Sequence, residues 1–284
     1  MTPEDIAWRD GTGPFRAGGA VRVRWLGTAG FAIEHAGHVL CLDPYLTRAS
    51  LATCVLGRVR SDEALLVREL PRVDAIVLGH THFDHALDAP AIARRTGARV
   101  FGSRSAVALC RAAGLPETQI VDAEATREAE VGPFALRFRP SAHSRFLLGR
   151  VPFPGDIADC DHVPTRIGGF RCGAVFGVEI RVGGRRLFHV GSAELVEGNL
   201  DAAARGADLV LACVAGWTST PRYPERLLAA FDPGAVLLHH WDNFLKPFER
   251  PAQALPAMRL PSLAERLGGA VPVGTLALGG AIVV

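Results

Sequence analysis

Between positions 78 and 88 the chain reads Leu78-Gly79-His80-Thr81-His82-Phe83-Asp84-His85-Ala86-Leu87-Asp88. Three imidazoles and a carboxylate fall within residues 80–85. Crowding histidines is costly, because protonated rings repel and buried rings need partners. A divalent cation removes both costs, since neutral imidazole is a favoured ligand for it. The pattern therefore points to a metal site nucleated by His80, His82, Asp84 and His85. A cation held by neutral imidazoles keeps its full charge. It can lower the pKa of a bound water from about 16 towards about 7 and polarise a carbonyl or phosphoryl oxygen.

The elements around this cluster must hold it rigidly. Asp74 to Gly79 is a short apolar run that reads as a strand covered on both faces. Asp88 through Arg95 reads as a helix, with Asp88 near its N-cap and Gly97 at its stop. The cluster thus sits where a buried strand gives way to a helix. Upstream, Val21 to Leu26 alternates with period two, and Phe31 to Glu34 pairs with His38 to Leu42 as a hairpin ending in Asp43-Pro44. Downstream, Arg99 to Phe101 is a brief strand and Ser103 to Ala113 a helix with Ser103 as a capping candidate. Leu136 to Arg139 is a strand leading to His143. Val178 to Val182 and Leu187 to Val190 form a hairpin across Gly183-Gly184. Asp208 to Val214 and Ala235 to His240 are buried strands flanking a helix around Glu225 to Ala230. Leu263 to Leu267 reads as a last helix capped by Ser262, and Gly274 to Val284 as a last strand. Hairpins followed by βα units suit two mixed sheets packed together with helices outside, in the α/β (α+β) class. Residues 1–20 read as a lead-in arm and 21–284 as one domain, with a Pro- and Gly-rich functional loop at 144–172.

Composition narrows the function classes. Apolar residues make up 49% of the 284, enough for a substantial core. A net charge of +2 argues against nucleic-acid binding by bulk electrostatics. No stretch is apolar enough to span a membrane. The acidic start lacks the pattern of a secretory signal, so a cytoplasmic protein is expected. Lys246 is the single lysine, so an anionic small-molecule substrate would meet an arginine, with Arg145, Arg150 and Arg166 the candidates in the long loop. The six cysteines contain no C-x-x-C pair and read as reduced, buried thiols. Cys160-Asp161-His162 with Cys172 matches no standard zinc spacing.

The run His80-x-His82-x-Asp84-His85 resembles the metal-binding signature of the metallo-β-lactamase superfamily. The resemblance covers nearly the whole chain from Val21. Trp25-Leu26-Gly27-Thr28-Ala29-Gly30 and Leu42-Asp43-Pro44 are also similar to the branch that holds ascorbate-6-phosphate lactonase and phospholipase-D-like enzymes. It implies a four-layered αββα sandwich and further ligands at strand ends, matching His143 and His240. It also implies a division of ligands, with His80, His82 and His143 on one ion and Asp84, His85 and His240 on another. The family's bridging aspartate is missing, since Val190-Gly191-Ser192-Ala193 puts Ser192 at its place. Glu194 and Asp242 are the nearby carboxylates that could compensate. Otherwise Glu194 would open a helix and Asp242 cap a turn. Asp43 is expected to accept a ligand N–H, and Asp84 to orient or deprotonate the water. His35 and His38 are expected in solvent, His162 in the long loop with a lesser claim to face the site, His189 in the core, and His239 pointing opposite to His240 and away from the metal. The expected cofactor is one or two divalent ions, Zn2+ first, with Mn2+ or Fe2+ as alternatives. The expected activity is hydrolysis of a phosphodiester or lactone by metal-bound hydroxide. Iron-based oxidoreductase chemistry and a catalytically degenerate binding protein are the competing classes.

Overall fold

Alternation of side chains builds the first sheet of the computed structural model, which describes residues 2–8, 11, 13–15, 19–146, 149–159, 161–200 and 204–284. Strands β1 (Arg22–Gly27), β2 (Gly30–His35), β3 (His38–Leu42) and β4 (Ala75–Val77) send Val23, Trp25, Phe31, Ile33, Leu40, Leu42 and Val77 to one face. Leu26, Ala32, Cys41 and Ile76 point to the other. Both faces are buried, which explains why β4 reads as a continuous apolar run. β5 (Arg99–Gly102), β6 (Ile120–Asp122) and β14 (Ala281–Val283) complete the order β14-β1-β2-β3-β4-β5-β6.

The second sheet contains β7 (Glu128–Val131), β8 (Phe134–Ser141), β9 (Val175–Val182), β10 (Arg185–Val190), β11 (Leu209–Cys213), β12 (Val236–His239) and β13 (Val273–Gly274). Its order, β13-β12-β11-β10-β9-β8-β7, repeats the logic of the first. In each sheet one half is antiparallel (β14 to β3, β7 to β10) and the other parallel (β3 to β6, β10 to β13). The parallel strands finish at the same end of the molecule as the histidine cluster. Phe134, Leu136, Phe138, Val178 and Ile180 meet Phe31, Ile33 and Phe101 between the sheets. Burying each such side chain contributes about 1.5–3 kcal/mol.

Outside the first sheet lie α1 (Leu51–Leu56), α2 (Glu63–Glu69), α3 (Phe83–Ala86), α4 (Ala89–Thr96) and α5 (Arg104–Ala112), with Leu65, Leu66, Ile92 and Leu109 turned inward. The short α6 (Ala123–Thr126) follows β6. Outside the second sheet, α7 (Tyr223–Phe231) and α8 (Leu260–Gly268) pack Leu227, Phe231, Leu263 and Leu267. The layers are therefore helix, sheet, sheet and helix, as the resemblance implies. Among the described residues no helix is long and apolar enough to cross a membrane.

Several expectations need correction. The last strand is two: β13 joins the second sheet and β14 the first, with a turn between them where Gly279 has φ +77°. Ser262 does not cap α8, which begins two residues earlier behind Arg259 and carries Pro261 in its first turn, where a missing N–H costs nothing. Asp88 and Ser103 precede their helices, yet neither side chain caps. The Asp88 carboxylate instead accepts from Leu46 N, Thr47 N and Thr47 Oγ1, fixing the chain that follows β3. Helices α1 and α2 lie in a stretch where the sequence reading placed no element. The arm preceding β1 lies against the C-terminal segment, with Trp8 N donating to Thr275 O.

Candidate metal centre

The cluster grows from the C-terminal ends of β3 and β4. Asp43 follows β3 with φ +40°, a conformation that a short polar side chain tolerates. Its Oδ1 accepts from Gly79 N at 2.7 Å, and its Oδ2 lies 2.9 Å from His85 Nδ1. A Cβ at Gly79 would come within 3.1 Å of Asp43 Oδ2, so the glycine permits this close approach. His80 and His82 leave β4, and α3 then turns Asp84 and His85 back towards them. Thr81 N donates to Cys172 O, clamping the loop at 144–172 against the cluster.

The second sheet supplies the rest. His143 follows β8, and His240 follows β12 with φ +59°. One ligand atom from each of His80, His82 and His143 lies within 4.8 Å of the others, and the same holds for Asp84, His85 and His240. His80 Nε2 and His82 Nδ1 are 3.1 Å apart. Two imidazole lone pairs tolerate that spacing only with a proton or a cation between them, and the grouping of nitrogen and carboxylate donors within 4.8 Å is of the kind that fits a metal. His240 Nε2 stands 3.3 Å from Asp84 Oδ2.

Neighbouring groups decide which ring atoms are free. His82 Nε2 is 2.8 Å from Pro152 O, leaving Nδ1 towards His80. His143 Nδ1 is 2.7 Å from Ser144 O, leaving Nε2. His85 directs Nδ1 to Asp43, leaving Nε2. A carbonyl or carboxylate behind each of these three rings fixes its tautomer, as ligating histidines require, whereas Nδ1 of His80 and of His240 is buried without a partner among the described residues. Burial and the surrounding imidazoles push His80 well below the ordinary histidine range. Burial likewise lowers His82 and takes His143 down to about 4. Burial alone would lower His85, but Asp43 and Asp84 outweigh it and raise the value. Burial disfavours the Asp84 carboxylate, yet His85 and His240 hold it well below the usual carboxylate range. Neutral His80, His82 and His143 and an ionised Asp84 are the forms that bind a cation, whereas the carboxylates beside His85 favour its proton, which a cation would have to displace.

The other sequence candidates fall elsewhere. Ser192 is beside the cluster, where its Oγ accepts from Ser144 N at 3.0 Å. Glu194 turns away: its carboxylate meets Arg226, Thr220 Oγ1 and Leu195 N and is not among the clustered donors. Nor does it open a helix. Asp242 is wholly buried and pairs with Arg48 at 2.7 Å, while its Oδ1 accepts from Thr28 N. Thr28 O in turn accepts from His240 N, so Asp242 steadies the backbone of His240 instead of joining the donor set. Nothing in the sequence marks Arg48 as its partner, since the two are far apart along the chain. Arg145, Arg150 and Arg166 are exposed, and none lines the cavity above the cluster. Recognition of an anion by these arginines therefore has no support in the geometry. His162 is exposed, and Cys160 lies outside the described residues. His35 and His38 sit at the hairpin turn, half-buried, against Ala20 O and Asp74. His189 and His239 are buried and stack at 5.3 Å. The remaining five cysteines are free and buried.

The cavity has a volume of about 260 Å³. Its floor is His82, Asp84, His85, His143, Ser192 and His240, and its walls are largely aromatic and aliphatic. The sequence reading missed these wall residues, because apolar side chains in loops carry no spacing signal.

Over residues 40–241 the chain matches the family described as the beta-lactamase superfamily domain. It is 29% identical over 238 residues, covering 81% of this chain and 78% of the other, to a protein of Anaeromyxobacter sp. (strain K) named as a metal-dependent hydrolase. It is similar in structure to Igni18, a metallo hydrolase from the archaeon Ignicoccus hospitalis, with TM-score 0.62, 19% identity and coverage of 93% and 97%. It is also similar to CmlA, a diiron β-hydroxylase from Streptomyces venezuelae, with TM-score 0.61 and 15% identity, over 95% of this chain and 55% of that one. At such identities these likenesses speak for the fold.

Proposed function

Because the chain belongs to the beta-lactamase superfamily, we propose that it is a metal-dependent hydrolase of small molecules that cleaves an ester-like bond, a phosphodiester or a lactone. The observation that carries this reading is the convergence of donors from two sheets into three overlapping groups, His80, His82 and His143, Asp43, His80 and His85, and Asp84, His85 and His240, each with its ligand atoms within 4.8 Å. His80, His82 and His143 would hold one ion, and Asp84, His85 and His240 a second. Zinc suits this nitrogen-rich set best, with manganese or iron as alternatives. When bound, the ion supplies Lewis acidity and acidifies water at neutral pH.

The chain's own groups do the rest. Asp84, ionised and facing the cavity, orients a water molecule or takes its proton. Asp43 keeps His85 in one tautomer, and Pro152 O and Ser144 O do the same for His82 and His143. Ser192 offers a neutral hydroxyl already engaged by Ser144 N, so a second ion would be held less tightly than the first. The unpaired buried thiols support a reducing, cytoplasmic setting.

His82→Ala tests the reading. The purified variant is expected to fold, to lose metal by elemental analysis and to lose turnover of phosphodiester and lactone substrates. Full activity in a metal-free protein would overturn it, and iron with visible absorbance would redirect it to redox chemistry.

A further inference from the structure

The chemistry of a binding site is set by what surrounds the reacting groups, and here the surroundings are apolar. Phe146, Pro152 and Phe153 form one wall of the cavity, and Phe244, Leu255 and Met258 form the facing wall. Both walls rest directly on the metal-binding candidates. The Phe153 ring is 6.4 Å from His82, and the Phe244 ring meets His240 edge-on at 5.6 Å. Both are also tied in place. Pro152 O is bonded to His82, Leu255 N donates to Trp241 O, and Met258 O accepts from Trp217 Nε1. Phe153 holds φ +39°, a strained conformation for a bulky residue that the surrounding contacts must enforce. Phe146, 48% exposed at the mouth, is among the few large apolar side chains left in solvent.

No arginine or lysine occurs among the described residues that line the cavity. The one arginine buried among the described residues, Arg48, directs its donors to Asp242, Asn243 O and Lys246 O. A charge placed between these walls, above the floor that carries Asp84 and the histidines, would lose its hydration and meet no opposite charge among the wall residues. We propose that the substrate carries an uncharged, apolar substituent beside the bond to be cleaved, seated between the wall of Phe146, Pro152 and Phe153 and that of Phe244, Leu255 and Met258. The position of that bond rests on the hydrolase reading; the preference for an apolar substituent rests on the cavity alone.

The test uses the protein as purified and probes that it need not turn over. Straight-chain primary amides from propanamide to decanamide are titrated by calorimetry, alongside amides of equal length ending in a carboxylate or a trimethylammonium group. Each added methylene is expected to tighten binding about fourfold, the factor that about 0.8 kcal/mol per buried CH₂ gives, until the cavity is filled. Either charged series should bind at least tenfold more weakly. Leu255→Asp should abolish the chain-length dependence, and Phe244→Ala, a milder change, should flatten it; far-UV circular dichroism checks that each is folded. Affinity independent of chain length, or a charged series that binds as tightly as the neutral one, overturns the inference. Ester cleavage with a preference for charged substituents would sink this inference and leave the hydrolase reading standing. Chain-length-dependent amide binding in a protein that cleaves no ester would do the reverse.

Discussion

Removing the Arg48 guanidinium should cost stability and loosen His240 without touching the His80 side of the centre. Arg48 and Asp242 are 1% and 0% exposed at their side chains and 2.7 Å apart. Arg48 also donates to Asn243 O at 2.8 Å and Lys246 O at 2.7 Å. Arg48→Met fills part of the same volume but strands a buried carboxylate. Breaking a pair of this kind costs about 3–5 kcal/mol, mostly from the uncompensated charge. The two freed carbonyls lie on a half-exposed segment where water can replace the donors, so they add little. At about 2 °C per kcal/mol for a chain of this size, the melting temperature should fall by about 6–10 °C. The double variant Arg48→Met/Asp242→Leu removes the stranded charge and should regain most of the loss. Denaturant unfolding of the two single variants and the double yields the coupling. Elemental analysis under limiting metal should show the Asp84–His85–His240 set emptied first, because Asp242 holds Thr28 and Thr28 holds His240. A loss below about 1 kcal/mol in Arg48→Met, or a double variant no better than the single, would refute this account.

Asp43→Asn keeps an acceptor for Gly79 N but gives up the charge facing His85; chelator competition should register a 10- to 100-fold loss of affinity for the second ion. Ser192→Asp places a carboxylate beside the donors, and metal titration should reveal a tighter second ion; unchanged stoichiometry and affinity would mean that the missing aspartate is not what limits that site. For metal-free protein the sign of the pH effect follows from the histidines. Where the folded pKa lies below the unfolded value of about 6.5, the unfolded chain binds the proton first, so stability falls as pH drops below 6.5. His143, held at about 4, removes about 2 kcal/mol at pH 5. His80 and His82 act in the same direction, and His85, raised, acts against them. Equal urea midpoints at pH 7.5 and pH 5 would contradict this balance.

What the sequence disclosed was whatever repeats or crowds. Period-two alternation in β1 to β3 and the apolar run of β4 reveal strands, because one pleat has two faces and each must be covered. The histidine run stands out because its cost demands a compensating ligand. Partnerships between distant, ordinary residues were illegible. Arg48 and Asp242 meet only after the chain folds, and Glu194 looks like a spare ligand until Arg226 and Thr220 claim it. Asp88 reads as a helix cap, yet its carboxylate reaches back to Leu46 and Thr47, since three donors there outbid the helix N-terminus. The division of the last strand between two sheets depends on a turn that only the opposing edges can specify.

His80, His82, Asp84 and His85 leave one sheet, whereas His143 and His240 leave the other. An ion bound by both sets is thus a rivet through the seam between the halves of the molecule. Neither half alone brings together His80, His82 and His143, or Asp84, His85 and His240, so a cation held by either of these sets would reward the docked arrangement. The binding free energy of such an ion would add to the cohesion of the two layers. Stripping such an ion would weaken the seam first, while each sheet keeps its own ladder of hydrogen bonds.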